Sequence, residues 1–244
     1  MALVMAATLA AVGCSSSSSG PADASVSALG CTDPDPGPLD FVDNMEDGDQ
    51  LVLGRDGRNG GWYTFKDTTA GTLNPDMGQP VVMETIPGGR CGTSTHAMRV
   101  TGSGFSEWGS GFGFGFKTMV TNGVYENARY DVSAARGITF WARKGETSVD
   151  SVRLGIGDQW SVPQGGHCDL TVTLGPTACW DHFTAPVPLT TTWKRYTFQF
   201  GELQQRNFGI PRPSLDLANV YMVEFVMPMS APVFDIWVDD VALF

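Results

Sequence analysis

The sequence predicts an all-β fold, a β-sandwich or jelly roll, and three observations carry that expectation. Short runs rich in β-formers recur with turn signals between them: THAMRVTG, GSGFGFGFKTMV, GITFWARKG, SVRLGIGDQW, WKRYTFQF, VYMVEFVMP and FDIWVDDVALF. No long stretch keeps the 3.6-residue apolar period that an amphipathic helix needs. Gly (30) and Pro (15) are abundant in 244 residues, and both punctuate strands. That length suits one sizeable β-domain.

The chain opens on an apolar run, MALVMAATLAAVG, followed by Cys14 and SSSSSG. The run is too short to span a bilayer and reads as a secretory h-region. Small residues before a Cys resemble a bacterial lipobox, in which that Cys is lipidated and becomes the mature N-terminus. Two features depart from that pattern: no Lys or Arg precedes the run, and Ala11 stands where Leu is usual. The expected division is a lipoprotein signal peptide over 1–13, a disordered Ser/Pro-rich tether over 14–38, and one β-domain over 39–244. The tether ends in DPDPGPLD, and no composition break or repeat follows it. The expected location is a bacterial outer membrane or cell surface, reached only through the lipid anchor.

Export implies an oxidising setting. Cys31, Cys91, Cys168 and Cys179 are then an even set with three possible pairings. Cys168 and Cys179 are near in sequence and are expected to close one loop. Cys31 and Cys91 would then tie the N-terminal segment to the domain.

The net charge of −11 argues against nucleic acid or an anionic membrane surface, and suits neutral or cationic ligands or bound cations. Catalytic signatures are lacking. There are three histidines and no GxSxG. GSGFSE at 102–107 lacks the third Gly of a dinucleotide fingerprint. His167, Cys168, Cys179 and His182 contain no CxxC, so a disulfide is preferred to zinc. No spacing recommends a carboxylate pair for glycoside hydrolysis. No catalytic residue and no enzyme activity are expected.

Within the domain, Phe112, Phe114 and Phe116 share one strand face and Gly109, Gly111, Gly113 and Gly115 the other. The Phe face belongs in the core. The Gly face marks a close approach, either of a packed neighbour or of a ligand. Acids cluster in DNMEDGD near the domain's start and in VDDV at its end. First and last strands of a sandwich are commonly neighbours, so Glu46 could meet Asp239 or Asp240. Oxygen-only ligands of that kind suit Ca²⁺, and a carboxylate satisfied by backbone N–H groups is the other reading.

The ordered motifs DNMEDGD, GRNGGWYTFKD, AMRVTGSGFSEWGSGFGF, YDVSAARGITFWARKG, WKRYTFQF and FDIWVDDVALF resemble the galactose-binding-like β-jelly rolls. Among these the chain resembles family 11 carbohydrate-binding modules and related domains of bacterial surface lipoproteins, over nearly all of 41–244. The resemblance implies a structural Ca²⁺ joining the first and last strands, held by Glu46 and Asp239. Met45 replaces the usual Phe there, and Asp43 and Asp67 are further oxygen donors. It also implies sugar binding on the concave sheet, where aromatic rings stack on pyranose faces. It does not select the ligand residues. Trp108, Trp160 and Trp180 lie at strand ends or beside the Cys loop, where a ring can stay half-exposed. Arg99, Arg153 and Asp158 are the polar candidates, whereas Trp141 and Trp237 sit mid-strand and are expected in the core. The reading is therefore a monomeric, non-catalytic binder of a carbohydrate, with a neutral polysaccharide as ligand. A surface adhesion or protein-interaction module on the same fold is the alternative, and a small glycoside hydrolase comes third.

Overall fold

The computed structural model describes residues 37–91, 94–229 and 231–244. Among them fourteen strands run in chain order. The first five are β1 (Asp40–Asp43), β2 (Trp62–Lys66), β3 (Thr72–Asn74), β4 (Glu84–Arg90) and β5 (Ser94–Ser103). Next come β6 (Ser110–Gly115), β7 (Lys117–Thr121), β8 (Val124–Ala128), β9 (Gly137–Lys144) and β10 (Ser151–Asp158). The last are β11 (Phe183–Pro188), β12 (Lys194–Gln199), β13 (Val220–Val226) and β14 (Phe234–Leu243).

The strands build a jelly roll. One sheet has seven strands in the order β12-β9-β14-β5-β3, with β1 added to β14 and β4 to β5. The other has five, β11-β10-β13-β6-β2, and β7 with β8 forms a separate hairpin. Every named pairing is antiparallel. The alternation of GFGFGF turns Phe112 and Phe114 fully inward, with Phe116 following just beyond β6. Phe225 stacks on Phe112 at 5.0 Å within one sheet, and Phe140 meets Phe225 edge-on at 4.9 Å across the two. Each ring buried in this way contributes about 1.5–3 kcal/mol.

First and last strands are neighbours, as expected: Asp40 pairs with Leu243 and Phe41 with Ala242. The terminal strand does not alternate as a plain strand would. Against β9, Asp239 pairs with Trp141 but Ala242 with Thr139, so Asp240 is an extra residue with φ +48°. Such a bulge resets the alternation. Val238 and Val241 both enter the core, and Asp239 and Asp240 both turn toward Arg90. Neither aspartate points between the sheets.

Cys168 and Cys179 are bridged, as their nearness suggested. Cys91 is also disulfide-bonded, with its partner outside the described residues. Cys14, Cys31 and residues 1–36, on which the expected signal peptide and almost all of the expected tether fall, lie outside the described residues.

Candidate functional site

The outer face of the five-stranded sheet is assembled from strands that alternate strictly. One register row crosses it as Phe65, Gly111, Val226, Arg153 and Pro186. The next runs Tyr63, Gly113, Glu224, Gly155 and Thr184. A third pairs Gly115 with Met222 and Met222 with Gly157. Glycines thus form much of the floor, and side chains from adjoining segments lie flat over it. A Cβ at Gly111 would sit 2.4 Å from the Phe65 ring, and one at Gly113 would sit 2.3 Å from the Val223 carbonyl oxygen and 3.0 Å from the Glu224 stem. At Gly115 it would meet Asn127 at 2.1 Å. Packed neighbours account for these glycines, side chains at Gly111 and Gly115 and the adjoining strand's backbone at Gly113, the more ordinary of the two readings.

Glu224 lies at the centre of this face. Tyr63 Oη donates to its Oε1 at 3.0 Å, and His182 Nε2 stands 3.6 Å from Oε2. Burial pushes the Glu224 pKa up to about 7, against the hydrogen bond from Tyr63 and the charge of Arg153. Burial also brings His182 down to about 4, helped by Arg153. Ser161 Oγ meets His182 Nδ1 at 2.8 Å, so serine, histidine and glutamate fall in a line. Ser161 is nevertheless 1% exposed, and its hydroxyl is engaged with the Asp158 backbone. A nucleophile with no access to substrate performs no acyl transfer. Glu224 is the one carboxylate on the strand positions of this face. Glycoside hydrolysis requires two.

The aromatic candidates separate into two kinds. Trp108 is 49% exposed and stacks on Phe65 at 6.2 Å, at the β2–β6 edge of the face. Trp180 is 47% exposed and meets His182 edge-on at the opposite margin. Trp160 is not a free platform. His167 stacks on it at 3.9 Å, and the Arg212 guanidinium lies 4.1 Å from its centroid. Two groups at that range cannot share one face of an indole, so both faces are covered.

Two polar candidates also leave the site. Asp158 is fully buried, and its carboxylate accepts from the backbone N–H groups of Trp160 and Asp216, which makes it a loop anchor. Arg99 belongs to the other sheet, where it pairs with Asp235 and Glu84 and lies over Trp237. Arg153 alone of the three faces the glycine floor. Sequence reading missed Glu224, Tyr63 and Phe65, and weighed His182 only as a zinc ligand. A signal was present: Glu224 is the one charged residue in VYMVEFVMP, and GIGD repeats the glycine alternation of GSGFGFGF.

The carboxylates proposed for Ca²⁺ do not fit a shared cation. Asp239 Oδ2 accepts from Arg90 Nε at 2.7 Å and Ser94 Oγ at 2.6 Å, while Oδ1 accepts from Asp240 N. Glu46 Oε1 accepts from Thr95 N, His96 N and Ser94 Oγ. Burial raises Glu46, but those bonds and that of the Thr95 hydroxyl bring it down to about 2. Ser94 lies between Glu46 and Asp239, and its one hydroxyl proton serves a single acceptor at a time, the nearer being Asp239 Oδ2. The charge between the strands, however, is the Arg90 guanidinium, a donor where a metal would need acceptors. Asp43 is held by Met45 N and Trp62 Nε1, and Asp67 by Thr69 N, Glu107 N and Gly109 N. Among the described residues no three acidic or metal-binding side chains gather.

The outer face of the seven-stranded sheet carries an arginine–tryptophan ladder. Trp141 and Trp237 are buried as expected, and Trp193 with them, yet on this face and not between the sheets. Arg90 and Arg195 lie 4.7 and 5.0 Å from the Trp141 centroid. Arg143 lies 4.6 Å from Trp237 and 5.3 Å from Trp193. Guanidinium planes cover the indoles and close the face.

Two solved structures share this arrangement of strands. The family 11 carbohydrate-binding module of the cellulosomal cellulase Lic26A-Cel5E of Clostridium thermocellum superposes with a TM-score of 0.50 at 15% identity. The match covers 86% of this chain and 96% of that one. The family 30 module of cellulase Cel9D-Cel44B from the same organism gives 0.50 at 13%, covering 84% and 98%. The fold is a carbohydrate-binding-module-like jelly roll. No family model and no curated protein matches the sequence.

Proposed function

We propose that the outer face of the five-stranded sheet binds carbohydrate without transforming it. The protein would act as an exported monomer anchored through lipidated Cys14. The observation that carries this reading is the Trp108–Phe65 stack, half-open to solvent beside Glu224, Tyr63 and Arg153. A pyranose offers an apolar C–H face to such a ring while its hydroxyls reach carboxylate, phenol and guanidinium. The fold shared with the two clostridial modules supports the reading, and the single carboxylate argues against hydrolysis. Affinity electrophoresis of the full chain through polysaccharide gels tests it: retardation supports a sugar-binding face. A well-folded chain that migrates freely through every gel removes it. Mass analysis of the N-terminal peptide tests the anchor at Cys14.

One observation favours the protein-interaction alternative. The β7–β8 hairpin presents Met119, Val120, Val124 and Tyr125 to solvent, with Tyr125 79% exposed. Exposed apolar side chains gathered on one hairpin mark an interaction surface. Replacing Val120 and Tyr125 by Ser would abolish partner binding under that reading and leave sugar binding intact.

A further inference from the structure

β3 and β4 both pair with β5, Asn74 opposite Thr101 and Glu84 opposite Ala97, and residues 98–100 of β5 fall between the two pairings. The chain that links β3 to β4 does not continue either strand. Pro75 and Pro80 lack the N–H that a ladder needs. Between them Gln79 N donates to Asp76 O at 3.0 Å, closing a tight turn in which Gly78 takes φ +79°. The segment is then pinned on its return: Val81 N donates to Gln50 Oε1, and Val81 and Met83 are buried. Alternation leaves the apolar Val82 pointing outward, 64% exposed.

This segment walls a cavity of about 420 Å³, which is on the scale of a small-ligand site. Leu73, Pro75, Pro80 and Val82 supply its apolar surface, and Asn74, Asp76, Gln79 and Glu84 its polar groups. The two carboxylates are ion-paired, Asp76 with Lys66 at 2.6 Å and Glu84 with Arg99 at 3.0 Å. Among the described residues neither carboxamide is hydrogen-bonded, so Asn74 and Gln79 each offer donors and an acceptor. Gln79 and Pro80 also line a smaller cavity of about 300 Å³, together with Tyr63 and Thr64 of β2. Tyr63 is the donor to Glu224, so this second cavity adjoins the glycine-floored face. Thr64 is buried there, and its hydroxyl has no partner among the described residues. A buried hydroxyl without a protein partner calls for a water or a ligand group.

We infer that the cavity between β3 and β4 is a second carbohydrate site, which takes a short stretch of a neutral polysaccharide. Carboxamides that donate and accept beside apolar walls suit a polyol, which presents hydroxyls and C–H surface together. Asp76 and Glu84 are the only charged residues lining either cavity, and both already hold a cation, so a charged ligand finds no unpaired partner. The inference rests on the carbohydrate-binding reading and adds a site away from the glycine-floored face. Gln79 lines both cavities and is the residue through which the two would act together.

The test is affinity electrophoresis of the full chain through gels of neutral polysaccharides: β-glucans, galactans and mannans. Two sites on one polymer reinforce each other, so losing either lowers retardation. In the gels that retard the wild type, Gln79→Ala and Val82→Asp should each weaken binding about tenfold. Both residues are exposed, so both variants are expected to fold, and a thermal melt checks this. If the folded variants run as the wild type does, the cavity is not a site, and the glycine-floored face is left standing. If they abolish retardation while Trp108→Ala has no effect, the cavity is upheld and the face is overturned. Free migration of the wild type in every gel overturns both.

Discussion

Arg90, at the end of β4, donates to Asp239 of β14, with Nε 2.7 Å from Oδ2 and both side chains buried. The same guanidinium reaches Asp240, displaced to its side by the bulge, and lies over Trp141. The terminal aspartates are thus held by a protein cation. Asp239→Ala would leave the buried guanidinium with Asp240 as its remaining ion-pair partner and is expected to destabilise the domain by about 3 kcal/mol. Chemical denaturation measures this directly. In the same assay Ca²⁺ should leave the wild-type transition unmoved, since a ligand raises stability only by binding the native state. A calcium-dependent rise in melting temperature would restore the metal reading.

Stability should depend on pH with a maximum in mild acid. Burial raises Glu224 from 4.5, and Asp43 from 3.8, to about 7 in each case. A raised carboxylate contributes stability that is complete below its unfolded pKa and is lost as pH climbs through the folded one. Glu46, lowered to about 2, acts in the opposite sense: its contribution is present above 4.5 and is lost as pH falls toward 2. The melting temperature should therefore peak near pH 5 and decline by pH 8. Glu224→Gln keeps an acceptor for Tyr63 and removes the charge, so it should recover up to about 3 kcal/mol at pH 8 and almost nothing at pH 5.

Trp108 and Trp160 should behave oppositely when truncated. Trp108→Ala is expected to weaken polysaccharide binding by about 1–3 kcal/mol with little change in melting temperature, as for a ring at an interface. Trp160→Ala removes the surface that separates His167 from Arg212 and should lower stability instead. Melting curves and gel retardation on the two variants distinguish them, and a stable Trp160 variant with lost binding would reverse the assignment.

The Cys168–Cys179 bridge closes a loop of eleven residues' separation beside Trp180 and His182. Replacing both cysteines by serine should cost about 2–3 kcal/mol through the added freedom of the unfolded chain. Binding should fall as well, because Trp180 leads directly out of the bridge. If denaturation and retardation are both unchanged, the loop is ordered by its hydrogen bonds alone.

The sandwich class, the inward Phe112 and Phe114, the β1–β14 pairing and the short disulfide were legible because each depends on local pattern. Alternation, turn residues and cysteine nearness are properties of neighbouring residues. The partner of Asp239 was not legible. Arg90 lies far from it in sequence, and the bulge that aims both aspartates at it involves an ordinary residue, Asp240, at φ +48°. The site was half legible for the same reason. Glycine alternation identified the face, and Trp108 and Arg153 followed from strand position. Glu224 and His182 meet only because β13 and β11 both flank β10. Arg99 was placed on the wrong sheet, since a period of two tells which residues share a face but not which of two outer faces it is.

Five of the protein's seven indoles fall into two optical populations, with the core Trp62 and the covered Trp160 standing apart. Trp141, Trp193 and Trp237 are sealed under guanidinium planes, dry and close to positive charge, so their emission lies to the blue and collisional quenchers do not reach it. Trp108 and Trp180 stand in water at the two margins of the opposite sheet, and their emission lies to the red. Light from one side of the sandwich therefore reports on the integrity of the scaffold, and light from the other on what touches its glycine-floored face. A single unlabelled sample carries both signals, and they separate by wavelength.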